Sequence, residues 1–287
     1  PYTDVILTGD GPDQTMGGSG HHVSAILRNL FAEKHPLSLS GNNLTAEMLN
    51  LIIGGTPGAN LLSKIHRRFK QNSLDAVHKI FFLRSFFPDH IKQFMCGQEL
   101  LEIHKISNPY RHAYSWFHRA GDVDDMNKYL YADMRFYIPD DLMIKVDRMC
   151  MAHSLETISP FQDVQLAKIV NTIPGSLKVH RTSNNELITK YILKKVCEKR
   201  FPDSILNKKK QGFGIPLAKW LSQKNGEELK SILLDTRSLE RGYFKKKSVE
   251  HFVDIFLSDK GDYYYPNPAG MVALLTLELW HRIYIDN

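Results

Sequence analysis

Two carboxylates three residues apart, Asp10 and Asp13, lie inside the stretch VILTGDGPDQTMGGSG, Val5 to Gly20. The triplet Val5-Ile6-Leu7 is apolar and β-prone, and Gly9 and Gly11 end it abruptly. Open α/β sheets hold ligands beyond the carboxyl ends of their strands, where glycine lets the backbone come close. Bare carboxylates repel a polyphosphate, so a site of that kind needs a divalent cation between the two. A tight turn with two solvated aspartates accounts for the same residues. The stretch is neither of the common phosphate loops. Gln14 fills the last glycine position of GxGxxG, and no GKS or GKT follows.

Two further stretches set charge among apolar or glycine-rich neighbours. In YIPDDLMIKVDRMCMAHSLETISPFQD, Tyr137 to Asp163, proline and two acids at 139–141 read as a helix start. Apolar residues from Leu142 to Leu155 then surround the helix on nearly all sides, which predicts a buried helix carrying Asp147, Arg148 and Glu156. Buried charges need a partner, a ligand or a metal, and an internal Asp147–Arg148 pair is the structural alternative. In LNKKKQGFGIPLAKWL, Leu206 to Leu221, a lysine run abuts Gln211-Gly212-Phe213-Gly214, and Pro216 starts a helix over Leu217 to Leu221. An ammonium beside a glycine loop neutralises developing phosphate charge. Lys210 is placed for that role, and Lys208 is expected to face solvent.

The elements that position these residues are mostly helical. Helix-like patterns run over Val23–Phe31, Ala46–Ile53, Leu61–Phe69, Leu74–Phe86 and Met126–Tyr131, with a break at 54–58. The aromatic clusters read as core. His21, His22, His112 and His118 lack the spacing of a helical metal site and read as structural. At 287 residues, with 43% hydrophobic and 24% charged content, the chain is one large domain or two small ones. A net charge of +6 favours anionic ligands. No stacking motif or zinc finger accompanies that charge, so phosphate-bearing small molecules come ahead of nucleic acid. Cys96, Cys150 and Cys197 have no CxxC partner and read as reduced thiols of a cytoplasmic protein. No apolar run approaches the roughly 20 residues of a membrane span, and no signal peptide opens the sequence.

Together the three stretches resemble the C-terminal synthetase domain of glutamine-dependent asparagine synthetases, a domain shared with relatives that form β-lactams and macrolactams. The family pattern resembles GDGxDE-x-x-GG, PDD-x-x-x-KVDR-x-x-MAHS-x-E-x-R-x-PF-x-D and KKQGFG-x-P-x-x-x-W. This chain reads GDGPDQTMGG, PDDLMIKVDRMCMAHSLETISPFQD and KKQGFGIPLAKW, and Ala273 to Ile285 looks like the family's terminal helix. The match is dense between Tyr137 and Trp220 and loose in the middle helices.

The resemblance implies an α/β fold, a parallel-sheet PP-loop ATP pyrophosphatase domain (Rossmann-like, adenine nucleotide α-hydrolase-like), with this segment mostly α-helical. It divides residues 1–287 into a last sheet strand and loop (1–25), a helical region (26–136) and a helical catalytic and C-terminal region (137–287). Val5–Thr8 is then an edge or near-edge strand of a parallel sheet whose other strands come from outside the chain. The implied reaction splits ATP at the α-phosphate, makes an acyl-adenylate of a substrate carboxylate, and lets ammonia or an amine displace AMP. Asp13 is implied on Mg²⁺ at the pyrophosphate, Asp10 near the acyl centre, and Lys210 on the phosphate or tetrahedral charge. Gly9, Gly11, Arg148 and Gly212 are implied at the nucleotide and pyrophosphate, and Asp147 and Glu156 in the same cleft.

Several residues depart from the pattern. Gln14 replaces Glu, Ile158 replaces Arg, and Thr15, Met16 and Ser19 replace Leu, Phe and Tyr. The SGGxDS signature is not in these residues, and neither is a glutaminase domain with its N-terminal cysteine. The first residue is Pro1, so the chain is expected to be a fragment or a split subunit completed by an N-terminal half or companion chain carrying SGGxDS. An asparagine synthetase-like ligase leads. A specialised macrolactam or β-lactam cyclase, and a non-catalytic binding or assembly domain, are the alternatives.

Overall fold

The computed structural model describes residues 3–20, 22–23, 85–87, 89–107, 110–208, 214–258 and 267–286. The helix-like patterns between residues 24 and 84 lie outside them, as do Lys210 and Gly212. Strand β1, Val5–Leu7, pairs in parallel with β2, Glu156–Ile158, in the register Val5↔Glu156, Ile6↔Thr157, Leu7↔Ile158. The expectation that partner strands all come from outside the chain is thus corrected, because β2 belongs to the chain itself. Among the described residues this sheet has two strands, and Leu7 remains 72% exposed.

Glu156 lies on a strand, although the apolar pattern had placed it on a helix. The helix, α4 (Ile144–Met151), stops earlier because Ser154 takes a left-handed turn at φ 56° and Leu155 N bonds back to Cys150 O. Serine seldom marks such a reversal, where glycine or asparagine is usual. The buried-helix expectation is also corrected. No residue of α4 is buried, and Met149 is 67% exposed. Apolar residues on all sides need cover on all sides, and among the described residues α4 packs chiefly against the segment before it and β2. Pro139, expected at a helix start, lies within a π-helical run, Asp133–Met143. Proline has no N–H to give to that run's hydrogen bonds, so the run is bonded around position 139 rather than through it.

The residues divide into two units. The first spans Pro1–Leu37, Leu74–Leu83 and Tyr110–Lys210. Within it, α1 (Pro12–Thr15), α2 (Arg111–Arg119) and α3 (Asp125–Ala132) precede α4; α5 (Val164–Thr172) and the short α6 (Gly175–Lys178) follow β2. Met126, Leu130 and Val179 form its buried apolar cluster, with Val23 and Leu187 against it. The expected helix over Met126–Tyr131 is α3. Asp124 caps it by accepting from Asn127 N at 3.0 Å, and also receives Gly175 N at 2.9 Å. The pairing of β3 (Val179–Arg181) with β4 (Leu187–Thr189) is antiparallel and leads into α7 (Tyr191–Cys197).

The second unit spans Ser38–Ser73, Arg84–Pro109 and Gln211–Asn287. Its core gathers Met95, Leu229, Phe252, Val253 and Met271. The terminal helix, expected over 273–285, runs over Pro268–Tyr284, capped by Asn267 Oδ1 on Gly270 N at 2.6 Å. Glu278 on it is buried and bonded by Arg241 Nε at 2.6 Å and Arg282 Nε at 2.7 Å. Burial pushes the Glu278 carboxyl up, but the two guanidinium groups outweigh it and hold the group below its ordinary value. No helix among the described residues is long and apolar enough to cross a membrane.

Candidate functional site

Parallel pairing of β1 and β2 sends both strands out at the same end, so the GDGPDQ loop and the SPFQD segment emerge side by side. Thr8 N donates to Ile158 O at 2.9 Å, and Thr8 Oγ1 lies 2.6 Å from Ser159 Oγ. Ligands in α/β folds sit at that carboxyl end. Gly11 turns the chain with φ +109° into α1, and Thr15 N and Oγ1 both donate to Gly11 O. A Cβ on Gly11 would come 2.8 Å from Gln162 Cγ, so a glycine is required where the two segments meet.

Asp13 occupies the first turn of α1, and Lys190 Nζ lies 2.6 Å from its Oδ1. Gly18 N donates to Asp13 O at 2.9 Å. A Cβ on Gly18 would strike both Asp13 Oδ1 and Lys190 Cε, so a side chain at residue 18 would push one of the two from its present position. Asp10 is half-buried in the same loop, and Gly9 is exposed with open space beside it. The alternative of two solvated aspartates therefore fails for Asp13, which is ion-paired and two-thirds covered.

The other expected residues lie on α4 and β2. Asp147 and Arg148 are exposed on α4, and no ion pair joins them. Glu156 is exposed on β2, where its N–H donates to Asp4 O at 2.8 Å. Ile158, standing at the arginine of the resembling pattern, ends β2 at 45% exposure and brings no cation. Lys208 is exposed, as expected. His22 is buried with Nε2 2.9 Å from Asp133 Oδ2, which agrees with a structural role.

Two residues near the loop escaped the sequence reading. Lys190 carries no motif and follows an ordinary strand. Gln162 sits where the pattern leaves any residue free, and its Nε2 is buried against Gly11 without a hydrogen-bond partner among the described residues. Among the described residues, no group of three or more His, Cys, Asp or Glu side chains gathers as a metal site. Mg²⁺ is content with one or two carboxylates and completes its shell with phosphate oxygens and water. Asp13 alone fits that habit.

Comparison with known proteins gives a consistent picture. The family description Asparagine synthase matches residues 2–282. Over 290 residues the chain is 27% identical to the glutamine-hydrolyzing asparagine synthetase 1 of Bacillus subtilis (strain 168), covering 99% of this chain and 41% of that protein. Over 91 residues it is 36% identical to asparagine synthetase 3 of the same organism, covering 32% of this chain and 14% of that protein. The chain thus spans well under half the length of these relatives. No solved structure gives a significant match.

Proposed function

The chain belongs to the asparagine synthase family, and from that premise we propose that the full-length protein is an ATP-dependent amide ligase of the asparagine synthetase type. The carboxylate substrate attacks the α-phosphorus of ATP, pyrophosphate leaves, and ammonia or an amine then displaces AMP from the acyl-adenylate. Residues 3–20 supply a strand and loop of a Rossmann-like parallel sheet of the PP-loop type, and an N-terminal part carrying SGGxDS supplies its other half. The cytoplasm is the compartment this reading assigns, with Cys96, Cys150 and Cys197 free.

One observation carries the reading: the Asp13 loop lies beside Ser159–Asp163 at the carboxyl ends of two parallel strands. In this reading Asp13 holds Mg²⁺, which supplies positive charge at the pyrophosphate. Asp10 acts near the acyl centre. Gly9, Gly11 and Gly212 admit the nucleotide to the backbone, and Arg148 and Lys210 meet its phosphate charge. Asp147 and Glu156 line the cleft. A specialised macrolactam or β-lactam former is the second reading, favoured by Ile158, which leaves the cleft one cation short of the family pattern.

The test is exchange of labelled pyrophosphate into ATP by the full-length protein, with a panel of carboxylates that includes aspartate. Carboxylate-dependent exchange that disappears in Asp13→Asn supports the reading. A folded full-length protein that gives no exchange and no AMP with any carboxylate overturns it. Exchange with a peptide carboxylate in place of aspartate selects the second reading.

A further inference from the structure

Asp13 meets a cation that no motif marks. The side chains of Lys190 and Asp13 are 31% and 29% exposed, so both reach solvent while their charged atoms stay 2.6 Å apart. Two features of the backbone are arranged around this pair. Lys190 holds φ 53°, in the left-handed region that costs a residue with a Cβ, at the junction of β4 and α7. Gly18 lets the loop come so near that a Cβ there would meet Asp13 Oδ1 and Lys190 Cε together and displace one of them. Left-handed backbone and close approach persist where the surroundings over-determine them, and such places cluster at ligand sites.

Resting on the reading of Asp13 as a divalent-cation ligand, we propose that Lys190 is the built-in counter-ion of the phosphate loop. It neutralises Asp13 until a divalent cation takes the carboxylate, and its ammonium then serves the phosphate oxygens of a pyrophosphate-bearing ligand. The ammonium and a divalent cation compete for one oxygen, and two cations at contact distance repel. A lysine suits the exchange because its compact charge rides on a flexible stem and offers three donors. The same side chain therefore opposes metal binding alone and favours metal binding with phosphate. A residue with only a structural role has no such opposite effects.

The experiment is calorimetric titration of the full-length protein with Mn²⁺ alone, and with Mg²⁺ plus inorganic pyrophosphate. The proteins are wild type, Lys190→Met, Lys190→Arg, and Lys190→Met in the Asp13→Asn background. Lys190→Met is expected to bind Mn²⁺ alone about threefold more tightly, the scale of a partly exposed ion pair. It is expected to bind magnesium pyrophosphate about tenfold more weakly, the scale of a lost charge-assisted hydrogen bond. Lys190→Arg keeps the charge and recovers part of the pyrophosphate affinity. In the Asp13→Asn background, Lys190→Met leaves Mn²⁺ binding unchanged. Unchanged affinities in Lys190→Met, or weakening of both by the same factor, overturns the proposal. A wild-type protein that binds neither ligand overturns the Asp13 reading itself, which is visible before any Lys190 variant is compared.

Discussion

Thr8 and Ser159, 151 positions apart in sequence, hold their hydroxyl oxygens 2.6 Å apart where β1 and β2 both end. This bond ties the GDGPDQ loop to the SPFQD segment. Thr8→Val removes a partly buried hydroxyl and leaves Ser159 Oγ without its partner. The expected loss of stability is about 1 kcal/mol, the net worth of one hydrogen bond. A double-mutant cycle with Ser159→Ala on urea denaturation measures it. Coupling below experimental error would show that the two segments are aligned by the strand pairing alone.

Gly18→Ala tests the ion pair through space. The added methyl would occupy the position where Asp13 Oδ1 and Lys190 Cε now lie, and at least one of them has to move. Since the Lys190 stem is flexible, the expected cost in stability is modest, about 1–3 kcal/mol as for overpacking. The expected cost in magnesium pyrophosphate affinity is larger than for Gly20→Ala, where a Cβ meets nothing within 4 Å. Equal affinities in the two variants would mean that the close approach at Gly18 has no bearing on the ligand.

These two tests also mark where sequence reading succeeded. β1, α3 and the terminal helix were legible because each pairs a consistent apolar period with a clear boundary: Gly9 and Gly11, Asp124, and Asn267-Pro268. β2 was not, because Ser154 makes its left-handed reversal without a glycine and the apolar pattern runs on through it. The burial of α4 was misjudged for a different reason. Apolar side chains on every side state a need for cover, and the chain's own described residues do not meet it. Lys190 was invisible because its importance comes from a contact 177 positions away (190 − 13), and its local sequence resembles any strand-to-helix junction.

Lys210 belongs to the reading that rests on the KKQGFG motif, outside the described residues. Fixed charges in water-poor sites are worth about 3–4 kcal/mol where negative charge grows. Lys210→Ala in the full-length enzyme is therefore expected to lower turnover by roughly a hundredfold or more. Its melting temperature should stay near wild type. Arginine should rescue poorly, because a planar fork does not replace a point charge. Lys208→Ala, on an exposed side chain, should be nearly silent. An active Lys210→Ala enzyme would reduce the motif to a support of the fold.

Lys178 supplies a test of the site-bearing unit by pH. Its side chain is fully buried, and Nζ donates to Asn127 Oδ1 at 2.6 Å. Burial pushes the ammonium down from 10.5 to about 8, and the nearby Asp124 only partly opposes this. The folded chain therefore gives up this proton near pH 8, whereas the unfolded chain keeps it to about 10.5. Between those values the unfolded state binds more protons, so this group makes stability rise with pH. Below pH 8 the cost of burying the charge is present in full. Lys178→Met keeps the volume and removes the charge, and the gain at pH 7 is on the order of 1–2 kcal/mol after Asn127 Oδ1 loses its donor. Urea denaturation of both proteins at pH 7 and pH 9.5 reads the difference, which should shrink at the higher pH. A wild-type minus variant difference that stays constant between the two pH values would show that Lys178 keeps an ordinary ammonium in the fold.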